Sequence, residues 1–213
     1  MTYVISDIHG EFYLFMEMLN KIKFSDDDTL FIIGDVIDRG KHSFDIVQYV
    51  MNSDNIEYLM GNHELMMLEA FKTGDRSLWY QNGGNKTVSS SMRFDKDDRN
   101  KMIRYISTLN NYYILEKEDT NIVLVHAGIQ FDSNDEIVED LDFMMWSRIE
   151  FYGEDCVPKD YLVIFGHTPT RHLCSKDKIW HGNRMIGIDC GAVYTGILGC
   201  LRLDDMKEFY VRR

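Results

Sequence analysis

The 213-residue chain predicts an α/β fold with an at least partly parallel sheet, and three observations carry that expectation. Short, β-rich apolar runs recur along the sequence, and each stops at polar residues. Apolar side chains at helical spacing fill the early intervals between them. Five of the runs end on Asp, His or Asn beside a glycine, at the strand ends where functional groups gather in such folds.

In chain order the runs are residues 3–5, 30–33, 56–59, 122–125, 162–165 and 185–188, read as buried strands. After the first, Phe12, Phe15, Met16, Leu19 and Ile22 recur at three and four positions; Phe44, Val47, Val50 and Met51 do much the same after the second. A further helix is expected to start near Glu64 and a longer one to cover 99–109. Residues 198–203 and 208–211, separated by Asp204-Asp205, read as a closing antiparallel hairpin. Residues 74–98 are the least regular part; Asn82-Gly83-Gly84 marks a turn there, and the stretch reads as a loop excursion over the site. No repeat or linker divides the chain, so one domain spanning 1–213 is expected.

Composition excludes several classes. Apolar types make up 45% and charged types 27%, Pro occurs twice, and no apolar run is long enough for a bilayer span, so collagen-like, disordered and membrane readings fall away. The 35 acids against 23 Lys and Arg leave a formal charge of -12, which speaks against broad binding to nucleic acid. The N-terminus has no basic region, so neither a secretory signal nor a membrane anchor is expected, and the cytoplasm is the expected location. Cys156, Cys174, Cys190 and Cys200 form no Cys-x-x-Cys pair and read as isolated reduced thiols.

The strand ends carry the chemistry. Asp7-x-His9-Gly10, Gly34-Asp35-x-x-Asp38-Arg39-Gly40, Gly61-Asn62-His63-Glu64, His126-Ala127-Gly128 and Gly166-His167-Thr168 follow the first five runs. Glycine lets the backbone turn sharply off a strand, so that the polar side chain beside it can reach a shared crevice. A lone Asp in such a place is more often a turn former, and a lone His more often a buried, hydrogen-bonded ring. Six of them at successive strand ends are hard to place by chance. Carboxylates, imidazoles and one amide, without thiolate, suit divalent manganese, iron or zinc better than copper. The set exceeds what one tetrahedral ion needs, whereas two ions roughly 3.5 to 4 Å apart would use it for in-line phosphoryl chemistry.

These motifs, in this order, closely resemble the calcineurin-like metallophosphoesterases, in their phosphoprotein phosphatase branch. Trp79-x-x-Asn82-Gly83-Gly84 and the stretch from Asp189-Cys190-Gly191-Ala192 to Gly196 resemble the compact phage and bacterial serine/threonine protein phosphatases. The resemblance implies a β-sandwich of mixed sheets flanked by helices (α/β/β/α), with a dimetal site at the strand ends. It further implies that Asp7, His9 and Asp35 hold one ion and Asp35, Asn62, His126 and His167 the other, with Asp35 bridging. The ions would be manganese foremost, with iron, zinc, nickel or cobalt as alternatives, and a hydroxide shared between them would attack phosphorus directly. His63 would protonate the leaving oxygen, oriented by Asp38, while Arg39 and Arg148, with Asn62, would grip the phosphate. Ser6 stands where the family often has Gly, which touches the turn and not a ligand.

His42, His172 and His181 match no motif and read as surface or locally hydrogen-bonded rings, and the Met66-Met67 and Met144-Met145 pairs as core filling. The reading that follows is a metal-dependent phosphomonoesterase acting on phosphoserine and phosphothreonine in proteins. One alternative is a symmetrical dinucleoside polyphosphate hydrolase, which would need an adenine-sized pocket near 74–98. Another, of a different class, is an inactive metal-bound scaffold. From 131 to 142 run six acids and no Lys or Arg. They read as a solvated face or, more sharply, as an acidic rim favouring phosphopeptides with basic flanks.

Overall fold

The computed structural model describes residues 1–117, 120–148 and 156–213. Its strands are β1 (Thr2–Ile5), β2 (Thr29–Ile32), β3 (Ile56–Tyr58), β4 (Tyr112–Lys117), β5 (Thr120–Val125), β6 (Gln130–Phe131), β7 (Ile137–Val138), β8 (Tyr161–Phe165), β9 (Trp180–His181), β10 (Met185–Gly187), β11 (Ile197–Arg202) and β12 (Lys207–Arg212). Its helices are α1 (Phe12–Ile22), α2 (Ser43–Met51), α3 (Asn62–Thr73), α4 (Ser77–Gln81), α5 (Gly84–Ser91), α6 (Lys96–Ile106), α7 (Leu141–Trp146), α8 (Arg171–Cys174) and α9 (Ala192–Thr195).

Two mixed sheets result, ordered β12-β11-β1-β2-β3 and β4-β5-β8-β10-β9. In the first, β1, β2 and β3 run parallel and the β11-β12 hairpin closes one side antiparallel. In the second, β5, β8 and β10 run parallel between antiparallel β4 and β9. Successive strand residues point to opposite faces, and the burial follows that rule. Val4, Phe31 and Ile33 meet Ile122, Leu124 and Ile164 in the core between the sheets. Tyr3, Ile5, Leu30 and Ile32 face the other way, onto Phe15 and Leu19 of α1, Val47 of α2 and Met66 and Met67 of α3. Val123, Val163 and Phe165 form the outer face of the second sheet and pack with Met144 and Met145 of α7. Each such side chain contributes about 1.5–3 kcal/mol when fully buried, and the sum holds the α/β/β/α sandwich. Both methionine pairs fill core.

Three sequence expectations need correction. Residues 74–98 are mostly helical, folding as α4, α5 and the start of α6, because Trp79 and Thr87 bury themselves toward the core. The helix expected over 99–109 begins earlier, since Asp95 caps it by accepting from the Asp98 amide at 2.8 Å. Strand β4 went unforeseen; half-exposed and paired along its length to β5, it takes its conformation from its partner. No helix among the described residues is long and apolar enough to cross a membrane.

Candidate metal centre

The five predicted strand ends meet at one place, where β1, β2 and β3 of the first sheet and β5 and β8 of the second come to their carboxyl ends. Backbone bonds tie the turns together: the His9 amide donates to the Asp35 carbonyl at 2.9 Å, and the Gly166 amide to the His126 carbonyl at 2.8 Å. Asp7, His9, Asp35, Asp38, Arg39 and His167 all adopt left-handed φ, between 47° and 71°. That conformation is uncommon outside glycine, so the candidate site residues themselves make the turns. The neighbouring glycines serve close approach. A Cβ on Gly61 would stand 2.4 Å from Asp35 Oδ1, and one on Gly166 would stand 2.3 Å from Asp7 Oδ2.

Asp35 is the hub. Its Oδ2 lies 3.6 Å from His9 Nε2 and 3.8 Å from His63 Nε2, and its Oδ1 lies 3.5 Å from His126 Nε2. Two compact donor groups share it: His9, Asp35 and His63 on one side, Asp35, His126 and His167 on the other. Asn62 joins the second, with Oδ1 2.9 Å from His126 Nε2 and 3.1 Å from His167 Nδ1. Asp7 enters neither compact triad; its Oδ2 accepts from the His167 amide at 3.0 Å and from the Ser6 hydroxyl.

The donor chemistry fits cations. His9 Nδ1 faces the Ile37 carbonyl at 2.8 Å and His126 Nδ1 faces the Ile33 carbonyl at 3.0 Å, so each donates there and presents a bare Nε2 to the crevice. On the His126 side, that lone pair then confronts the amide oxygen of Asn62, an arrangement a cation between them would satisfy. Burial, followed by the charges of His63 and Arg39, holds His9 well below the usual imidazole range. Burial, then His126 and Arg148, holds His167 down at about 2. Neutral imidazoles are the form that binds metal. Burial, then the charges of Asp7 and Glu64, pushes Asp35 well above the carboxylate range, against the pull of the His63 amide and Arg39.

Beside the hub stands a second device. His63 Nδ1 and Asp38 Oδ2 are 2.6 Å apart, both fully buried, and His63 Nε2 has no partner. The Trp79 indole donates to Asp38 at 2.9 and 3.0 Å, and the Thr87 hydroxyl donates to it at 2.5 Å. Burial pushes Asp38 up to about 7 against the pull of Thr87, Trp79 and Arg39, and burial pushes His63 down. Arg39 Nη1 contacts His9 Nε2, and its guanidinium lies 5.4 Å from the centre of the Tyr194 ring. A cavity of about 460 Å³ opens here, lined by His9, Arg39, Arg148 and His167 and extending to Tyr194.

A family profile describing calcineurin-like phosphoesterases matches residues 2–191. The chain belongs to the calcineurin-like phosphoesterases. It is a hydrolase of that metallophosphoesterase family, and its His and Asp residues could hold the metals of the family's dimetal centre. Serine/threonine-protein phosphatase 2 of Salmonella typhimurium is 33% identical over 153 residues, covering 71% of this chain and 69% of the relative. An asymmetrical bis(5'-nucleosyl)-tetraphosphatase of Halalkalibacterium halodurans is 26% identical over 232 residues, covering 96% and 90%. Among solved structures, that of a candidate diadenosine tetraphosphatase superposes with a TM-score of 0.75 at 19% identity, covering 99% of this chain and 92% of the other. At that identity the likeness speaks for the fold alone.

This phosphoesterase also uses residues to which no role was given from sequence. Glu64 accepts four backbone N–H groups, from Asp35, Val36, Ile37 and Gly61, at 2.9 to 3.2 Å, and so fixes the Asp35 turn to α3. Buried Asp189 follows β10, a sixth strand end with a glycine two residues on, and lines the cavity; the repeating pattern could have found it. Of the unplaced histidines, His42 lies 3.5 Å from Asp45 and His181 lies 2.7 Å from Glu208, while His172 is exposed at the cavity edge.

Proposed function

We propose that the chain is a phosphomonoesterase releasing phosphate from phosphoserine and phosphothreonine in proteins, with two divalent ions, manganese foremost, as its cofactor. The observation that carries the reading is the buried His63–Asp38 pair, whose unpartnered Nε2 faces the carboxylate common to both donor groups. Asp7, His9 and Asp35 would hold one ion, and Asp35, Asn62, His126 and His167 the other. When bound, the ions supply Lewis acidity toward phosphoryl oxygens and make water acidic enough to react near neutral pH. The chain's own side chains do the rest. With Nδ1–H held by the Asp38 carboxylate, a second proton taken up on Nε2 makes the imidazolium that can protonate the departing seryl or threonyl oxygen, and Asp38 supports that charge until it is given up. Arg39 and Arg148, on the cavity wall, would clamp the phosphate together with Asn62, which is buried beside His126 and His167 and does not itself line the cavity. A pure scaffold would need neither the acid pair nor the clamp.

The serine/threonine class is supported by the Salmonella relative. In the acidic segment, Asp132 shapes a turn and Asp140 caps α7, whereas Asp135, Glu136 and Asp142 are exposed. Those free acids, ahead of the half-exposed Trp146 that meets His167 edge-on, support a preference for phosphopeptides with basic flanks. A second reading, dinucleoside polyphosphate hydrolysis, is favoured by the 460 Å³ cavity, which offers Tyr194, Val193 and Pro169 beside Arg39. That space lies along 169–195; a smaller cavity of about 290 Å³ does border 76–100, where the sequence led one to look, but none of the metal-donor groups lines it.

Rates on a phosphothreonine peptide, a phosphotyrosine peptide and diadenosine tetraphosphate, side by side with added manganese, test both readings. The phosphothreonine peptide is expected to be fastest, and faster still with flanking lysines at low salt. A clear preference for the dinucleotide overturns the protein-phosphatase reading.

A further inference from the structure

Trp79 and Thr87, which donate to the Asp38 carboxylate alongside its contact with His63, also bound a second cavity of about 290 Å³. None of His9, Asp35, His63, His126 and His167 lines it, so it is separate from the metal groups. Its wall is apolar: Phe44 of α2, Met67 and Phe71 of α3, Val88 of α5 and Ile103 of α6. Its polar lining is one-sided. Arg76, Lys96 and Arg99 border it and no Asp or Glu does, on a chain in which acids outnumber bases 35 to 23.

The nearby acids are engaged elsewhere. Asp75 accepts from the Ser77 amide, Asp95 caps α6, and Asp98 pairs with Lys101 at 3.2 Å. Arg76 donates to the Tyr80 hydroxyl at 3.1 Å and Arg99 to the Phe94 carbonyl at 2.9 Å, yet none of the three cations forms an ion pair among the described residues. The cavity is at the small end of the range for small-molecule sites. Its apolar wall is wasted on inorganic phosphate, and its cations are wasted on a plain hydrocarbon.

We propose that this cavity binds a medium-chain fatty acid, its chain on the apolar wall and its carboxylate among Arg76, Lys96 and Arg99, and that occupancy is passed through Trp79 and Asp38 to His63. The Trp79 ring is both wall of the cavity and donor to Asp38. A ligand pressing on it changes how Asp38 holds the acid, without touching the phosphate clamp. The effect therefore falls on kcat and spares KM. This coupling rests on the reading of His63 as the general acid, whereas binding itself does not.

The test uses the manganese-loaded protein and decanoate below its micellar concentration. Calorimetry is expected to give saturable binding of one decanoate per chain, with decanol and decyltrimethylammonium binding at least about tenfold more weakly. The double variant Arg76→Gln/Lys96→Glu should weaken decanoate by about tenfold or more while keeping its circular dichroism and its turnover without ligand. Decanoate should change kcat by about threefold or more on phenyl phosphate, whose leaving group needs protonation, and less on p-nitrophenyl phosphate, whose leaving group does not. Absence of saturable binding, equal binding of decanol, or undiminished binding to the double variant overturns the site. Binding with an unchanged kcat on both esters overturns the coupling. Equal effects on the two esters would instead strike the acid role of His63 and leave the site standing.

Discussion

The two donor groups around Asp35 are built differently. On one side, Asn62 Oδ1 stands 2.9 Å from His126 Nε2 and 3.1 Å from His167 Nδ1, and neither the candidate acid nor an arginine is among them. On the other, His9 touches Arg39, its ring stands edge-on to His63 at 4.7 Å, and His63 leans on Asp38. On the proposed reading, one half is a ligand set alone and the other would interlock ligand, clamp and acid. Sites divided in this way separate the holding of a cofactor from its use, so substitutions on the two sides should fail in different measurements.

Asp35→Asn breaks the comparison outright, because it removes the charge common to both halves. It is expected to abolish measurable turnover and to lower the metal content of both sites in elemental analysis; two tightly held ions in that variant would refute a shared carboxylate. His63→Asn sharpens it. Turnover should fall by about 10² to 10⁴ with both ions retained, as for loss of a general acid. A halved metal content would make His63 a ligand, which its place beside His9 and Asp35 also permits.

How far these assignments could be read from sequence follows the same division. Asp7, His9, Asp35, Asn62, His126 and His167 announced themselves because each sits one turn beyond a short apolar run, and the β period is local. Asp38 and His63 were placed by resemblance, yet what braces them lies 41 and 49 residues from Asp38, in Trp79 and Thr87. A stretch that looked irregular was helical because tertiary burial of those two side chains overrode a turn-like composition. The glycines were seen, but their reason was not: only coordinates show that a Cβ on Gly61 or Gly166 would collide with a carboxylate.

Two smaller effects refine the contrast. Trp79→Phe keeps an aromatic ring, though a smaller one, and deletes the N–H donor to Asp38. It should lower kcat by about tenfold to a hundredfold, with KM and metal content unchanged, as expected for one hydrogen bond to a charged group. A loss of metal there would mean that the acid pair and the ligand set are not separable. Arg148→Ala should raise KM by several-fold, within about tenfold, and leave kcat within about a factor of two, because Arg148 lines the cavity away from the His63–Asp38 pair. A collapse of kcat would move it into the chemical step.

The left-handed turns at Asp7, His9, Asp35, Asp38, Arg39 and His167 reach beyond catalysis. Each places a side chain at some conformational cost, roughly 1–3 kcal/mol where neighbours enforce it, and that cost falls on the chain whether or not metal is bound. Ions gripping the same residues would offset it through linkage. Cellular proteases, by sampling the opened chain, would then clear the metal-starved fraction first. The steady amount of this protein, and not only its rate, would then follow divalent-ion supply.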